Sequence, residues 1–393
     1  MPRKRPAPAA ILPAMRPPRV LLLSASAGSG HTRAAQAVAE ALHALEPAAE
    51  VRHEDILDHT AKAYKKTYAG GFLQVVNRAP TLWGVLYHSS DRVRQRRLEQ
   101  RFTRFFDKLE FAGFRDFVRE LDPDVVVATH FLPCQVLAPY RERGRDRFPL
   151  VVVLTDFDVH GYWVQPMADR FFVGSGEVAA ILAGRGIEQQ RIEVSGIPIA
   201  AEFGATWDRE AIRGRLGLST DTPVVLVTAG GAGVGSFADT VSAVLGSGPV
   251  QVLAVCGRNE ELRRRLAAAS PPAGSSLHAF GFVSPIAELM AVADLAVAKS
   301  GGLTTAECLA MGLPMVVNQP IPGQEERNAD YLLELGAGVK AHGLASLRFK
   351  LSGLLSDRAR LRRMAEAARA AGRPAAAHSV AKAVLELARP RSV

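Results

Sequence analysis

The sequence contains the same local pattern twice: a short apolar run, then a glycine-rich turn, then a helical stretch. The run at 19–25 leads through Gly28 and Gly30 into a predicted helix at 31–45, and the run at 223–228 leads into a second glycine-rich turn. A buried strand followed by such a turn and a helix is typical of a parallel sheet covered by helices on both faces. The repeat therefore predicts two doubly wound, Rossmann-like α/β domains.

Further apolar runs extend both halves into full sheets. The chain breaks at 196–198, and its 393 residues exceed what one hydrophobic core usually sustains. We predict a disordered basic arm at 1–17, a first domain at 18–200, a second domain at 201–373 and a final helix at 374–393. The remaining predicted strands lie at 51–55, 125–129, 150–155, 170–173, 192–195, 251–256, 277–280, 293–298 and 314–318.

Composition narrows the class of partners. Lys and Arg number 48 and Asp and Glu 39, a net charge of +9, so the protein attracts anions such as nucleic acid, acidic lipid or a phosphorylated substrate. The three cysteines are far apart and form neither a disulfide framework nor a CxxC metal site, which indicates a reducing cytoplasm. No run approaches the roughly 18 apolar residues that a membrane-spanning helix needs. If a membrane matters, we expect the protein to lie on its surface.

Basic and aromatic side chains are interspersed between residues 60 and 120. Such a helical region suits an anionic bilayer, with the aromatic rings at the headgroup level and the cations near the phosphates. An amphipathic helix that packs its aromatic face into the core has the same composition. Both interpretations stay open from the residues alone.

The first glycine-rich turn, at 24–32, places Gly30 and His31 between a strand and a helix. Free backbone N–H groups and the helix dipole favour an anion there, and ligands of open α/β sheets bind at this edge. A histidine at that point suits a general base, because its ordinary pKa lies near the operating pH, but it also suits a simple helix cap. Glu54 and Asp55 partly match the acidic position of a dinucleotide-binding fold, so an oxidoreductase is an open alternative.

A loop dense in reactive side chains follows the most strand-like run of the first half. Asp156, His160 and Trp163 lie within it, directly after the predicted strand at 150–155. Functional residues concentrate on loops at the carboxyl ends of strands, which favours a binding role for this group. Asp156 alone is equally suited to bracing the turn.

The second glycine-rich turn contains Gly231 and Ser236, and Arg258 follows the next predicted strand. Glycines let the backbone approach a ligand closely, and a guanidinium grips phosphate oxygens. Together these residues predict a diphosphate cradle without a metal. Tight turns and a surface arginine explain the same residues without a ligand.

The most specific segment begins with Ser300, Gly301 and Gly302, which open a helix that carries Thr304 and Glu307. The first turn of that helix offers N–H groups to a ligand. A carboxylate at position 307 suits the diol of a ribose, although a glutamate near a helix start is also favourable without any ligand.

A second helix start follows within the same segment. Gln324, Glu325 and Asn328 are spaced so that they share one face of this helix. Amides accept and donate hydrogen bonds and carboxylates accept them, so together they suit the vicinal hydroxyls of a sugar. The segment therefore predicts a sugar-binding face.

Taken together, these motifs resemble the monogalactosyldiacylglycerol synthase and processive diacylglycerol glucosyltransferase group, which is related to the enzyme that adds N-acetylglucosamine to the peptidoglycan lipid carrier. The motifs match in order over nearly the whole chain. They are Gly28-x-Gly-His31, Thr155-Asp156-Phe-x-x-His160-x-x-Trp163, Cys256-Gly-Arg-Asn259, Ser300-Gly-Gly-x-Thr-x-Ala-Glu307 and Pro322-Gly-Gln-Glu325-x-x-Asn328.

The resemblance implies a GT-B fold with two Rossmann-like domains facing a cleft and a final helix that crosses back to the first domain. It implies a UDP-hexose donor in the second domain, a lipid acceptor, most simply diacylglycerol, at the first, and inversion at the anomeric carbon with no cofactor or catalytic metal. By the same resemblance, His31 is the base that activates the acceptor and Glu307 is the ribose ligand.

The resemblance also assigns the remaining contacts. Gln324, Glu325 and Asn328 contact the sugar hydroxyls, and the backbone at Phe282 and Val283 holds the uracil. It implies a peripheral enzyme at an anionic membrane surface, on the inner face of the cytoplasmic membrane, with no nucleic-acid partner.

Three features stay open. Glu326-Arg327 stands where this family often carries smaller residues, so the hexose is not fixed. A UDP-sugar epimerase uses the same architecture and donor site. A nonenzymatic protein that binds anionic surfaces or nucleic acid is compatible with the basic, aromatic region at 60–110.

Overall fold

The computed structural model describes residues 16–26, 28–61, 65, 111–141, 148–228 and 237–388. The predicted arm at 1–17 and the predicted membrane-facing region near 60–120 lie largely outside the described residues, as does the glycine-rich turn at 229–236.

The first sheet has six parallel strands among the described residues, in the order β2-β1-β3-β4-β5-β6. Its central strands are continuous apolar runs because both of their faces are covered. The strands are β1 Arg19–Ser24, β2 Glu50–Asp55, β3 Val125–Ala128, β4 Leu150–Val153, β5 Arg170–Val173 and β6 Ile192–Val194. The helices that accompany them are α1 Ser29–Leu45, α2 Ala112–Leu121, α3 Phe131–Arg141 and α4 Gly176–Gly184.

The second sheet also has six parallel strands among the described residues, in the order β12-β11-β10-β7-β8-β9. This is the strand order of a dinucleotide-binding Rossmann sheet. The strands are β7 Val224–Thr228, β8 Gln251–Val255, β9 Ser276–Phe280, β10 Leu295–Ala298, β11 Met315–Asn318 and β12 Gly338–Ala341. The helices are α5 Arg209–Leu216, α6 Phe237–Leu245, α7 Glu260–Ala267, α8 Ala287–Val292, α9 Gly302–Met311, α10 Gln324–Glu334, α11 Leu344–Ser356 and α12 Arg358–Ala371.

Each sheet has one point where the strand order reverses. In the first sheet it lies between β1 and β3, and in the second it lies between β7 and β10. Ligands of open α/β sheets bind outside the carboxyl ends of the strands at such a point. The turns that follow these four strands are therefore the first place to look for a site.

The final helix, α13 Ala376–Ala388, returns to the first domain and packs against α1. Its buried face, with Val380 and Val384, shares one apolar cluster with Val20 and Leu22 of β1 and Val38 of α1. The predicted crossing back of the final helix is confirmed. The two domains are thus joined at the chain end as well as at 196–201.

The predicted doubly wound sheets are confirmed, with strand ends that differ from the predicted ones by at most two residues. One strand, β12, was not predicted. It is a short edge strand that contains Lys340 and has only two buried residues, so it lacks the apolar run that marks the central strands. No helix in the described part of the chain is long and apolar enough to cross a membrane.

Val380 tests the attachment of the final helix. Val380→Ala removes two methyl groups from a fully buried position, and we expect it to lower the free energy of unfolding by about 2 kcal/mol. Lys382→Ala, on the exposed face of the same helix, is the matched control and should change it by less than about 0.5 kcal/mol. Urea denaturation followed by circular dichroism measures both, and equal effects would contradict the packing of α13.

Candidate active site

The two domains touch where a helix start meets a loop. Gly302, the first residue of α9, lies directly against the loop that follows β4 in the first domain. A Cβ atom at this position would overlap the carbonyl oxygen of Thr155 and lie 3.0 Å from Oδ1 of Asp156. Only glycine permits this approach, so the switch point of the second sheet lies against the first domain.

Asn328, on α10, ties the same loop to the second domain. Its Oδ1 accepts a hydrogen bond of 2.7 Å from the backbone N–H of Phe157, and its Nδ2 donates to Oδ1 of Asp156 at 3.0 Å and to the carbonyl of Ser300 at 2.9 Å. Asn328 is fully buried, so its amide is satisfied by protein groups. Next to it, the ring of Phe157 stacks on Tyr331 at 4.4 Å between centroids.

His31 lies at this contact, in the first turn of α1 and at the switch point of the first sheet. Its Nδ1 is 2.9 Å from the carbonyl oxygen of Thr129 and 2.8 Å from Oγ1 of Thr155. Because a carbonyl can only accept, Nδ1 carries the proton and Nε2 of the neutral ring is an acceptor. The ring is therefore held in the tautomer that a general base needs.

Burial and the neighbouring polar groups act on the pKa of His31 in opposite directions. Burial lowers the pKa of His31, while the negative charge of Asp156 and the hydrogen bond to Thr129 act in the opposite direction. Burial raises the pKa of Asp156, and its bond from Asn328 and the charge of His31 oppose that rise. Asp156 is therefore placed to stabilise His31 once the ring accepts a proton.

Aromatic side chains surround His31 on the first-domain side. The ring of His130 meets it edge-on at 4.5 Å between centroids, and Trp163 lies 6.3 Å away. Phe131 stacks on Tyr162 at 5.1 Å. These rings form one wall of the cleft, which suits an acceptor with apolar character.

His160 and Trp163, both predicted from the sequence, belong to this wall, and both are buried. His130 and Phe131 were missed. They come immediately after β3, which is the neighbour of β1 across the switch point, so their position after a predicted buried strand was the available signal. Burial lowers the pKa of His130 well below its usual range, and the charge of His31 adds to this.

Glu307 is a buried carboxylate in the middle of α9. Arg33 of α1 reaches across from the first domain and forms an ion pair with it. Burial still raises the pKa of Glu307 to about 7, against the opposing charge of Arg33. Burial of this carboxylate therefore outweighs the stabilising charge of Arg33.

Glu325 is the second carboxylate of the cleft. Its Oε2 accepts a bond of 2.6 Å from the backbone N–H of Ile321, and Ser300 donates to its carbonyl oxygen at 2.6 Å. Burial raises the pKa of Glu325; the Ile321 bond and the charge of Lys299 lower it, and the charge of Asp156 raises it further. The two turns of the 299–328 segment are thus bonded to one another.

The neighbouring predicted residues line the same region. Gln324 has a buried Oε1 with no hydrogen-bond partner among the described residues, which points to a ligand donor. Thr304 is half-buried on α9, and Gly301 faces the carboxylate of Glu325 at 4.0 Å from a Cβ added to it. Gly30 faces the second domain, since a Cβ added there would lie 4.0 Å from Leu303.

Three predicted donor residues follow the outer strands of the second sheet. Arg258 comes after β8 and is exposed, and Phe282 and Val283 come after β9. Phe282 has 72% of its surface exposed, which is unusual for a phenylalanine and leaves its ring free to cover a flat ligand. Gly231 and Ser236 lie outside the described residues.

Within the described ranges, no three His, Cys, Asp or Glu side chains are close enough together to hold a metal ion.

The two halves of the chain match two known families. Residues 31–199 match the monogalactosyldiacylglycerol (MGDG) synthase family, and residues 224–382 match the glycosyltransferase family 28 C-terminal domain. The chain therefore combines an MGDG synthase domain with a glycosyltransferase family 28 C-terminal domain. The resemblance drawn from the five motifs is confirmed.

Named relatives align with nearly the full length of the chain. A processive diacylglycerol beta-glucosyltransferase from Bacillus cytotoxicus is 29% identical over 377 residues, which is 94% of each chain. The protein of the same name from Bacillus thuringiensis is 28% identical over the same share.

Solved structures share the fold. MurG from Acinetobacter baumannii has a TM-score of 0.60 and 16% identity over 94% of this chain and 100% of that one. HepE from Anabaena, in complex with UDP-glucose, has a TM-score of 0.54 and 15% identity over 94% and 99%. With these neighbours and the two facing sheets, the predicted GT-B fold is confirmed.

Gly302 tests the contact between the domains. In Gly302→Ala the new methyl group clashes with Thr155, so we expect the domains to separate and the radius of gyration to increase in small-angle X-ray scattering. Gly301→Ala is the matched control, because a Cβ there meets nothing closer than 4.0 Å and its φ of −61° suits alanine. If both variants scatter like the wild type, the close approach of Gly302 to Thr155 is wrong.

The raised pKa of Glu307 predicts how the free energy of unfolding depends on pH. Because its pKa is about 7 in the folded protein and ordinarily 4.5, it contributes stability that is fully present below pH 4.5 and is lost as the pH rises through 7. The change is on the order of 3 kcal/mol. We expect Glu307→Gln to gain stability relative to the wild type over this range.

Urea denaturation at several pH values measures this difference. Arg33→Gln should move the pH at which the free energy of unfolding falls to a higher value than in the wild type, because the charge of Arg33 lowers the pKa of Glu307. A difference between Glu307→Gln and the wild type that stays constant from pH 4.5 to pH 8 would contradict the assignment.

Proposed function

We propose that the protein transfers a hexose from a UDP-sugar to diacylglycerol, with inversion at the anomeric carbon, in glycolipid synthesis. The observation that carries this proposal is the position of His31, held as a neutral base against the helix start that opens the 299–328 segment. The names of the Bacillus relatives support diacylglycerol as acceptor. The UDP-glucose complex of HepE, a protein of the same fold, supports the donor class.

The donor fits the unsatisfied groups of the second domain. In this proposal the carboxylate of Glu307 accepts hydrogen bonds from the hydroxyls of the ribose, and a sugar hydroxyl satisfies Oε1 of Gln324. Glu325 lies beside them and accepts a second sugar hydroxyl. Asn328 already uses both ends of its amide, so a direct bond to the sugar requires one of these bonds to be exchanged.

The remaining predicted residues contact the diphosphate and the uracil of the donor. In this proposal the turn with Gly231 and Ser236, the side chain of Arg258 and the N-terminus of α9 at Ser300–Thr304 stabilise the charge that develops on the leaving UDP. Phe282 and Val283 hold the uracil. No step requires a metal or another cofactor.

The acceptor enters from the aromatic wall. Nε2 of His31 takes the proton of the diacylglycerol hydroxyl as its oxygen attacks the anomeric carbon from the face opposite UDP, and Asp156 stabilises the resulting imidazolium. A single displacement inverts the configuration. Closure of the two domains through Gly302 and Asn328 excludes water, which limits hydrolysis of the donor.

The acceptor also implies a place of action. Because diacylglycerol resides in a bilayer, we propose that the protein works as a peripheral enzyme at the cytoplasmic face of the membrane. The net charge of +9 supports an anionic membrane surface as its partner. Sedimentation with vesicles that contain or lack anionic lipid tests this part separately from turnover.

Turnover is tested with vesicles that contain diacylglycerol, a panel of UDP-hexoses and mass spectrometry of the lipid product. We expect a hexosyl diacylglycerol from the wild type and a kcat lower by about 10²–10⁴-fold in His31→Ala, with little change in the donor KM. His43→Ala is the matched control, because His43 is exposed near the other end of α1.

The same assay separates the competing functions. Conversion of the UDP-sugar in the absence of any acceptor would favour an epimerase and contradict the proposal. Vesicle binding without turnover of any donor would favour a nonenzymatic surface binder. Equal kcat values for His31→Ala and His43→Ala would remove His31 from the mechanism.

A further inference from the structure

A cavity of about 290 Å³ lies at the opposite end of the second sheet from the cleft. It is lined by Pro223, Asp294 and Pro314, the residues that immediately precede β7, β10 and β11. The amino ends of these strands therefore form its floor, whereas their carboxyl ends face the donor. Helix α9 connects the two places, and its ten residues span about 15 Å.

The charged side chains that line this cavity are nearly all arginines. Four arginines line it, and Asp294 is the only acidic residue among its lining residues. Three of the four, Arg358, Arg362 and Arg369, lie on α12 at positions that share one face of the helix.

The carboxylate of Asp294 already has partners within the protein. Asp294 forms an ion pair with Arg209 and accepts the backbone N–H of Val224 at 2.8 Å. Arg358 donates to the neutral carbonyl of Asp221. The described residues supply no acidic partner to Arg362 or to Arg369. The cavity therefore carries uncompensated positive charge.

One close approach and one pKa shift describe the surroundings of these arginines. Gly312, at the end of α9, lies under the guanidinium of Arg369, so that a Cβ there would be 3.0 Å from its Nε. The next arginine inward, Arg213, has a pKa lowered by burial and then, against the opposing charge of Asp294, by the positive charges of Arg209 and Arg358. Like charges held together in this way favour an anion between them.

We propose that this cavity, the α12 arginine pocket, binds a phosphate-bearing anion at a site separate from the donor cleft. Guanidinium groups bind phosphate oxygens in bidentate pairs, and the cavity is large enough for a diphosphate or for the phosphorylated headgroup of a lipid. Both sources offer the same chemistry to Arg362 and Arg369. The ligand fills the centre of the pocket and neutralises these two side chains.

Calorimetric titration with pyrophosphate tests the soluble source. The test variant is Arg362→Gln/Arg369→Gln, and the matched control is Arg360→Gln/Arg363→Gln, which removes the same charge from the same helix outside the pocket. We expect the wild type and the control to bind one more equivalent of pyrophosphate than the test variant, or to bind it at least tenfold more tightly. Thermal unfolding shows that all three proteins are folded.

Sedimentation with vesicles of phosphatidylcholine, with and without phosphatidylglycerol, tests the lipid source. A loss of binding to the anionic vesicles in the test variant but not in the control, without an additional pyrophosphate site, assigns the pocket to a lipid headgroup. Equal behaviour of the two variants in both assays means that only net charge matters and overturns the proposal. Neither assay depends on turnover, so the result stands apart from the proposed transferase activity.

Discussion

The close approach of Gly302 to the carbonyl of Thr155 is the constraint on which the rest of the site depends. It brings the amino end of α9 against the carboxyl end of β4, the neighbour of the first sheet's switch-point strand β3. Asn328 then fixes the loop that carries Asp156. Without this approach, His31 and the carboxylates of the second domain would belong to separate surfaces.

Burial at this contact explains the chemistry of the cleft. It raises the pKa of Glu307 and of Glu325 and lowers the pKa of His31, so the same exclusion of water disfavours the charged form of all three side chains. Buried ion pairs add little to the free energy of unfolding, because the cost of desolvating the charges offsets their attraction. Their cost is consistent with a site shaped for a polar ligand.

The sequence predicts the individual strands and residues of this site better than the contacts between them. The central strands are visible because both faces are buried, whereas β12, with Lys340, is a short edge strand and was missed. His31, Asp156 and Glu307 stand out by their positions after strands and at helix starts. The bonds Arg33–Glu307 and Asn328–Asp156, however, join residues 274 and 172 positions apart, and no local pattern encodes such contacts.

The anomeric configuration of the product tests the central claim most directly. If His31 activates the acceptor for a single displacement on an α-linked UDP-hexose, the hexosyl diacylglycerol formed in vesicles must be the β-glycoside. Proton NMR of the purified glycolipid distinguishes the two anomers by the coupling of the anomeric proton. A β-glycoside is the predicted result, and an α-glycoside would contradict the single displacement.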